Sequence, residues 1–279
     1  MRRFLLLSCL LLAACDSRST FTYMKKDPHV NPLTEIKAKL AFTCAYEQIP
    51  EPSAEADVVF QYARWLQKNN VLKREKSVNV EIERLYRIAA ENGHFKANIN
   101  LQNGAMRGHF SLRGLEHLRL SQQLIDHGVA TGYYLIGIML DQGSAGLQQD
   151  SDMALRYYRK AADVGNAQAQ YDIAEKLAPS DIAPDIAREM RRCAAEQGHG
   201  RAANALGINL KNKSDFQEAL RVFQLGVATG DSGSASFLEN GFRGPKPDNL
   251  LYYLGQTEDL ERAERYEKIG DILSGYSYA

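Results

Sequence analysis

A glycine recurs at intervals of 32 to 37 residues in matching surroundings, and this period restricts the chain to a repeat architecture. The five repeated glycines are Gly93, Gly128, Gly165, Gly198 and Gly230. The residue eight positions before each glycine is apolar. The residue four positions after the glycine is small, and the residue eight positions after it is aliphatic. Because these three columns keep the register of the glycines, the sequence predicts an array of about five similar units.

The spacing around each glycine predicts a helix, a turn and a second helix. Ahead of Gly165, for example, Ala154, Tyr157 and Ala161 recur at helical intervals. Glycine ends a helix at low cost because it adopts the left-handed conformation readily. The small residue four positions later lets the second helix approach the first. No stretch alternates apolar and polar residues as a strand does, so we predict an all-α solenoid.

One unit of the array resembles a known family, the Sel1-like repeats, which are related to the tetratricopeptide repeats. The matching residues are Ile136-Gly137, Gly143, Gly146, Asp150, Ala154, Tyr157-Tyr158, Ala161-Ala162, Gly165 and Ala169. The other units are degenerate: Leu124-Ile125 replaces the paired alanines, and the units at Gly198 and Gly230 lack the glycine-rich loop. The resemblance covers about Val80 to Gly244. It implies an α/α solenoid that contacts other proteins and performs no chemistry itself.

The segments outside the array are predicted to tether and cap it. The predicted organisation is a signal peptide at 1–14, a lipidated cysteine and tether at 15–32, N-terminal capping helices at 33–79, the repeat array at 80–244, and a C-terminal capping helix and tail at 245–279. We expect cap helices from Leu33 to Tyr46, from Ala54 to Asn69 and from Glu258 to Leu273, because the ends of a solenoid need a cover. Val58, Tyr62 and Trp65 lie on one stripe of the second of these helices.

The N-terminal sequence predicts that the chain is exported. Two arginines precede an apolar run at 4–14 that is too short to span a bilayer, as in a secretory signal peptide. Leu12-Ala13-Ala14-Cys15 resembles the lipobox of bacterial lipoproteins, which implies that Cys15 is lipidated and becomes the first residue of the mature chain. The alternative is an ordinary signal peptide with a coincidental cysteine. Asp16 resembles an inner-membrane retention signal of enteric bacteria, and the choice between the inner and outer membrane stays open.

Two cysteines remain in the exported chain, Cys44 and Cys193, because Cys9 leaves with the signal peptide and Cys15 carries the lipid. An oxidising compartment would permit a disulfide between them. In a solenoid, however, an N-terminal helix contacts only its neighbours, and Cys193 lies about three repeats away. The sequence therefore favours two separate buried thiols over a disulfide.

The residue content gives little support to catalysis or nucleic-acid binding. The 34 basic residues balance 34 acidic ones, whereas nucleic-acid binding normally shows a basic excess. No histidine has a zinc-site spacing, and His94 and His199 directly follow repeat glycines, where a polar residue starts a helix. Gly230-Asp231-Ser232-Gly233 resembles the nucleophile motif of trypsin-like proteases, but it falls inside the helical repeat pattern. We therefore expect no enzyme activity, no cofactor and no metal.

A candidate partner-binding surface follows from the repeat register. A solenoid offers a concave surface built from the first helix of each unit, and positions three, six and ten after each glycine lie opposite the buried small residue. The mixture of tyrosine, arginine and asparagine at these positions is typical of interfaces. The candidate residues are Lys96, Asn103, Tyr134, Gln168, Tyr171, Glu175, Arg201 and Asn204, with Ile99, Thr131, Ile138 and Ile208 between them. The alternative is an ordinary half-buried surface, or one that a cap covers.

The chain is similar to a group of Sel1-like lipoproteins encoded beside phospholipase effectors of type VI secretion systems. The similar stretches are Tyr62–Asn70, Ala97–Gly108 and Tyr133–Gly165. The resemblance implies a lipid-anchored periplasmic immunity protein whose partner is a secreted phospholipase. Two other classes remain open: an envelope scaffold or regulatory adaptor, and an enzyme of carbohydrate or peptidoglycan metabolism built on an α/α scaffold. The last would need paired carboxylates in a cleft.

Overall fold

The computed structural model describes residues 39–179 and 183–275. All regular secondary structure in these two ranges is helical. The helices with both ends inside them are α1 (Ala54–Asn70), α2 (Lys76–Glu91), α3 (Phe95–Met106), α4 (Gly114–Asp126), α5 (Thr131–Gln142), α6 (Ser151–Val164), α7 (Ala167–Leu177), α8 (Pro184–Glu196), α9 (Gly200–Asn212), α10 (Phe216–Ala228), α11 (Ser232–Phe242) and α12 (Leu260–Gly275).

Each helix packs on the next one along the chain, which confirms the predicted solenoid. The five repeat glycines join an even-numbered helix to the odd-numbered helix that follows it. All five adopt a positive φ, between 76° and 113°, as a helix-ending glycine does. We call α3, α5, α7, α9 and α11 the post-glycine helices. Within this layer, α9 also contacts α11 directly.

Small residues at the predicted column allow the two helices of a unit to approach closely. Ala97, Ala169 and Ala202 are fully buried. At the corresponding position Gly132 leaves no space for a side chain, since an added Cβ would lie 2.5 Å from the carbonyl oxygen of Ser121. The aliphatic column eight positions after the glycine is buried as well, through Leu101, Ile136, Ile173, Leu206 and Leu238. The repeat register therefore defines the core.

The N-terminal cap helix α1 forms as predicted, but its apolar stripe does not cover the array. Ser53 begins the helix, and its hydroxyl accepts a hydrogen bond from the Ala56 amide. The buried face carries Ala56, Phe60 and Ala63. Val58, Tyr62 and Trp65 instead point to solvent, with exposed fractions of 69%, 51% and 58%. Phe60 and Ala63, together with the partly buried Val59 and Leu66, provide the packing against α2.

Residues 41–50, which we call the strap, have no regular secondary structure, so the prediction of a helix as far as Tyr46 is wrong there. Residues 33–38 lie outside the described part of the chain. Side chains of the array satisfy the backbone of this region in place of helical hydrogen bonds. Arg159 donates to the carbonyl oxygens of Leu40 and Ala41 at 3.2 and 2.5 Å. Gln170 donates to the carbonyl oxygen of Ala45 at 2.9 Å, and the Gln197 side-chain oxygen accepts from the Glu47 amide at 3.1 Å.

The strap crosses several units. Phe42 is buried in a cluster with residues of α6, α7 and α8, whereas Ile49 packs against the cluster that contains Phe95 and Leu124. Between them, the Glu47 carboxylate accepts hydrogen bonds from the amide and hydroxyl of Thr131. Because α5 has no side-chain cap of its own, Glu47 supplies one from a distant part of the chain.

Cys44 and Cys193 form a disulfide, so the prediction of two separate thiols is wrong. The sulfur atoms lie 2.01 Å apart and the Cα atoms 5.6 Å apart. The prediction assumed that an N-terminal element contacts only the first unit. The strap instead runs back along the array from α8 toward α3, which brings Cys44 onto the buried thiol of Cys193.

The C-terminal helix α12 packs on α11, as the predicted cap requires. The prediction placed its start at Glu258, and the helix begins at Leu260 because the Asp259 carboxylate accepts a hydrogen bond from the Arg262 amide at 2.9 Å. Ala263 is the buried residue of this helix. Within the described residues, no helix is both long and apolar enough to cross a membrane.

Candidate partner-binding surface

The eight predicted binding residues all lie on post-glycine helices, but only some of them come together. Lys96, Glu175 and Arg201 are exposed, and the other five are half-buried. Lys96 and Asn103 lie on α3, Tyr134 on α5, Gln168, Tyr171 and Glu175 on α7, and Arg201 and Asn204 on α9. The structure concentrates interactions among the residues of α5, α7 and the start of α9.

The centre of this group is Asp172, a half-buried residue of α7. The Tyr134 hydroxyl donates to one of its carboxylate oxygens at 2.9 Å, and the Gln168 side-chain amide donates to the other at 2.9 Å. Tyr158 packs against Tyr134, with ring centroids 5.5 Å apart, and Tyr171 stacks on His199 at 4.7 Å. We call these residues the Asp172 cluster: Tyr134, Tyr158, Gln168, Tyr171, Asp172 and His199.

His199 has the structural role that the sequence predicted and also contributes to the cluster. Its Nδ1 accepts a hydrogen bond from the Ala202 amide at 3.1 Å, which caps α9. Its Nε2 lies 2.9 Å from the side-chain oxygen of Gln168 and therefore donates. These two roles define a neutral imidazole, and burial lowers the pKa of His199 accordingly. His94 caps α3 in the same way, by accepting from the Ala97 amide.

Within residues 39–179 and 183–275, the hydrogen-bond donors to the Asp172 carboxylate are the neutral side chains of Tyr134 and Gln168. Among the described residues, no arginine, lysine or histidine forms an ion pair with it. Burial, with a further contribution from the charge of Asp172, raises the pKa of Tyr134 above its usual range. Burial also raises the pKa of Tyr158 to about 12, with contributions from Asp141 and Asp172. The cluster is therefore a negatively charged site lined by aromatic rings.

The remaining predicted residues are not part of the cluster. Glu175 forms an ion pair with Arg191 at 2.8 Å, which joins α7 to α8. Asn204 donates to the Ser234 hydroxyl at 3.3 Å and thereby links α9 to α11. Lys96 and Asn103 belong to α3, whose place in the layer is separated from α7 by α5. Cys15, the predicted lipidation site, lies outside the described residues.

The sequence reasoning missed Asp172, Tyr158 and the second role of His199. Asp172 stands seven positions after Gly165, one beyond the predicted surface position at Tyr171, and four after Gln168. That i, i+4 relationship is a signal that could have placed the two side chains together. In the sequence Tyr158 is a residue of the repeat pattern, and in the structure its ring also covers Gly137 of α5.

The motif that resembles a protease nucleophile is a helix start. The Asp231 carboxylate accepts a hydrogen bond from the Ser234 amide at 2.6 Å, and Ser232 is the first residue of α11. Among the described residues there is also no group of three or more His, Cys, Asp or Glu side chains that could hold a metal ion.

The Asp172 cluster combines a carboxylate with aromatic rings. Such an arrangement can bind a positively charged group by electrostatic and aromatic contacts.

The C-terminal part of the chain matches a family model. The model is described as a domain of unknown function (DUF6396) and matches residues 234–279. This range contains most of α11 and the whole of α12.

The whole fold is similar to solved structures. The Pseudomonas aeruginosa protein PA5086 is 28% identical, with a TM-score of 0.63 over 83% of this chain and 88% of that protein. Immunity protein Pa5087 from Pseudomonas aeruginosa is 26% identical, with a TM-score of 0.63 over 84% of this chain and 88% of that one. A Sel1 repeat protein from Oxalobacter formigenes shares the fold at 22% identity, with a TM-score of 0.51 over 77% and 84%. These similarities confirm the predicted Sel1-like solenoid.

Proposed function

We propose that this chain is an immunity protein that binds a phospholipase effector of a type VI secretion system and blocks it at the periplasmic face of a bacterial membrane. The observation that carries the proposal is the likeness to immunity protein Pa5087, which extends over 84% of this chain. A relationship over nearly the whole length supports a shared mode of action better than a match to isolated repeats would.

Inhibition by such a protein needs binding alone. A solenoid that covers the active-site mouth or the membrane-binding face of a lipase stops hydrolysis without reacting with it. The strap and the Cys44–Cys193 disulfide support this mode of action, because they fix the relative positions of α5 to α8 before a partner arrives. A preorganised surface loses less conformational entropy on binding and so binds more tightly.

The proposed location rests on the N-terminal sequence and on the disulfide. Export followed by lipidation of Cys15 would place the chain on the outer face of the inner membrane or on the outer membrane. The disulfide supports this location, since such bonds form and persist in the periplasm and are rare in the cytosol. Holding inhibitor and target lipid on one surface raises the effective concentration of the inhibitor where the effector acts.

The direct test combines binding with inhibition. The chain from Asp16 onward is mixed with the product of the adjacent gene, and we expect a stable complex and loss of phospholipid hydrolysis at an equimolar ratio. An unrelated lipase serves as the control and should keep its activity. In cells, deleting the gene should make the strain sensitive to related strains that secrete the phospholipase effector. Full hydrolysis in the presence of excess chain, or unchanged survival of the deletion strain, would contradict the proposal.

A second candidate function is an envelope scaffold or regulatory adaptor. The similarity to a Sel1 repeat protein from Oxalobacter formigenes supports only the fold and leaves this role open. Gene neighbours discriminate between the two, because sensor kinases or polysaccharide genes beside this gene favour the adaptor, and a lipase or spike gene favours immunity.

A further inference from the structure

The Asp172 cluster contains a carboxylate that forms no ion pair with any residue that the structure describes. The carboxylate accepts hydrogen bonds from Tyr134 and Gln168, which are neutral donors. His199, the next group in this chain of hydrogen bonds, is held neutral because its Nδ1 accepts from the Ala202 amide. A cation supplied by a partner would therefore add an electrostatic attraction that the described residues do not provide.

Among the residues that the structure describes, no cation pairs with this carboxylate. Arg191, on the neighbouring helix α8, is engaged by Glu175 at 2.8 Å. Arg201 is exposed on α9 and acts electrostatically on Tyr171 and His199, but it forms no ion pair within the described residues. Asp141 adds a second negative charge near Tyr158. The charges around the cluster would therefore attract one more positive group.

The rings around the carboxylate indicate which cation fits. A guanidinium is planar, stacks on aromatic rings and can donate two parallel hydrogen bonds to one carboxylate. Each oxygen of Asp172 accepts one hydrogen bond from within the cluster, and a carboxylate offers about four acceptor positions. We propose that the Asp172 cluster is the receptor site for an arginine side chain of the bound partner. The identity of that partner as a phospholipase effector rests on the proposed function.

The first experiment tests the site without the effector. A short capped peptide with one central arginine is titrated into the 15N-labelled chain from Asp16 onward, beside the same peptide with citrulline, which keeps the shape and removes the charge. We expect saturable shifts at Tyr134, Asp172 and His199 with the arginine peptide only. Asp172→Asn should weaken this response by roughly tenfold or more. Shifts that citrulline reproduces, or that Asp172→Asn leaves unchanged, would overturn the proposal.

Two further variants separate charge from folding. Asp172→Glu keeps the negative charge and should retain part of the arginine response. If Asp172→Asn acted only by disturbing the packing, Asp172→Glu should lose the arginine response as well. Asp271→Asn makes the same change of charge on α12 and should behave as the wild type. Thermal melts of all variants establish that they are folded.

The second experiment uses the effector. If the wild-type chain binds the adjacent gene's product, Asp172→Asn should raise the dissociation constant by roughly tenfold to a hundredfold, mainly through faster dissociation. An unchanged constant would overturn the assignment of Asp172 to this interface. If the wild-type chain does not bind that product, the proposed function fails, and the peptide titration still decides whether the arginine site exists.

Discussion

Cys44 and Cys193 lie 149 positions apart in the sequence, yet their Cα atoms are 5.6 Å apart. The disulfide holds the strap across the units that contain α5 to α8. The array, whose other helices contact mainly their neighbours, thereby gains a long-range connection. Stability in a simple solenoid is a sum of local interfaces. Here, a covalent bond adds to the hydrogen bonds and packing that couple the N-terminal segment to the middle of the array.

Removing this bond should destabilise the whole fold. We expect Cys44→Ala combined with Cys193→Ala to lower the free energy of unfolding by about 2–5 kcal/mol, because the unfolded chain regains the freedom of a long loop. Urea unfolding of the two proteins measures the difference. Reductant should shift the midpoint of the wild type toward that of the double variant and leave the double variant unchanged. Coincident midpoints of the oxidised wild type and the double variant would contradict this expectation.

Gly165→Ala should loosen the strap. A Cβ at this position would lie 2.4 Å from the carbonyl carbon of Tyr46, and the φ of 113° is strained for alanine. We expect a loss of about 2–4 kcal/mol, which combines the backbone cost with displacement of the strap. Glu-C protease should then cleave after Glu47 more rapidly than in the wild type, since a displaced strap exposes its backbone.

The matched control for that substitution is Gly230→Ala. Gly230 has a φ of 91°, but nothing lies within 4 Å of a Cβ placed there. Its replacement should therefore cost only the backbone term, about 1 kcal/mol, and leave cleavage after Glu47 at the wild-type rate. Equal losses in the two variants would show that contact with the strap contributes little.

The repeat array could be predicted from the sequence because its determinants are local and periodic. The positive φ of Gly93 or Gly198 and the burial of Ala97 or Ala202 follow from one register applied at each unit. The strap could not be predicted in this way. Its backbone is hydrogen-bonded by Arg159, Gln170 and Gln197, which lie more than a hundred positions away. No local sequence pattern indicates that these three side chains have this role.

The candidate surface was predictable in part for a related reason. Tyr134, Gln168 and Tyr171 occupy repeat positions that point away from the buried small residues, so the register identifies them. Asp172 stands one position further on and belongs to the cluster because two helices converge there. The register identifies the face of a helix, whereas the charge balance at that face depends on which neighbouring side chains approach it.

Glu218 should make stability depend on acid pH. Hydrogen bonds from Arg221 and then Arg192 lower the pKa of this carboxyl to about 2 and connect α8 to α10. Because the folded-state pKa is below the unfolded value, the contribution is complete above the unfolded value of 4.5 and is lost as the pH falls toward 2. Because solvent screens this partly exposed network, its contribution should be about 0.5–1 kcal/mol.

The test compares the wild type with Glu218→Gln in urea at pH 6 and pH 3. The variant should be less stable at pH 6, and the difference between the two proteins should shrink at pH 3. Glu189→Gln, at an exposed position of α8, is the control and should follow the wild type at both values. A difference between the wild type and Glu218→Gln that stays constant with pH would exclude the ion pairs as its origin.

Cys15→Ser tests the anchor separately from the binding surface. If Cys15 carries the lipid, the full-length variant expressed in its own host should lose the acyl chains that hold the protein on the membrane. We expect metabolic labelling with a palmitate analogue to mark the wild type and not the variant.

A chain from Asp16 onward, exported behind a cleavable signal peptide, should still inhibit the effector in solution. It should protect cells less well than the wild type, because its effective concentration at the membrane falls. Equal labelling of Cys15→Ser and the wild type would show that the lipid is attached elsewhere, and protection undiminished without the anchor would show that binding in the periplasm is sufficient.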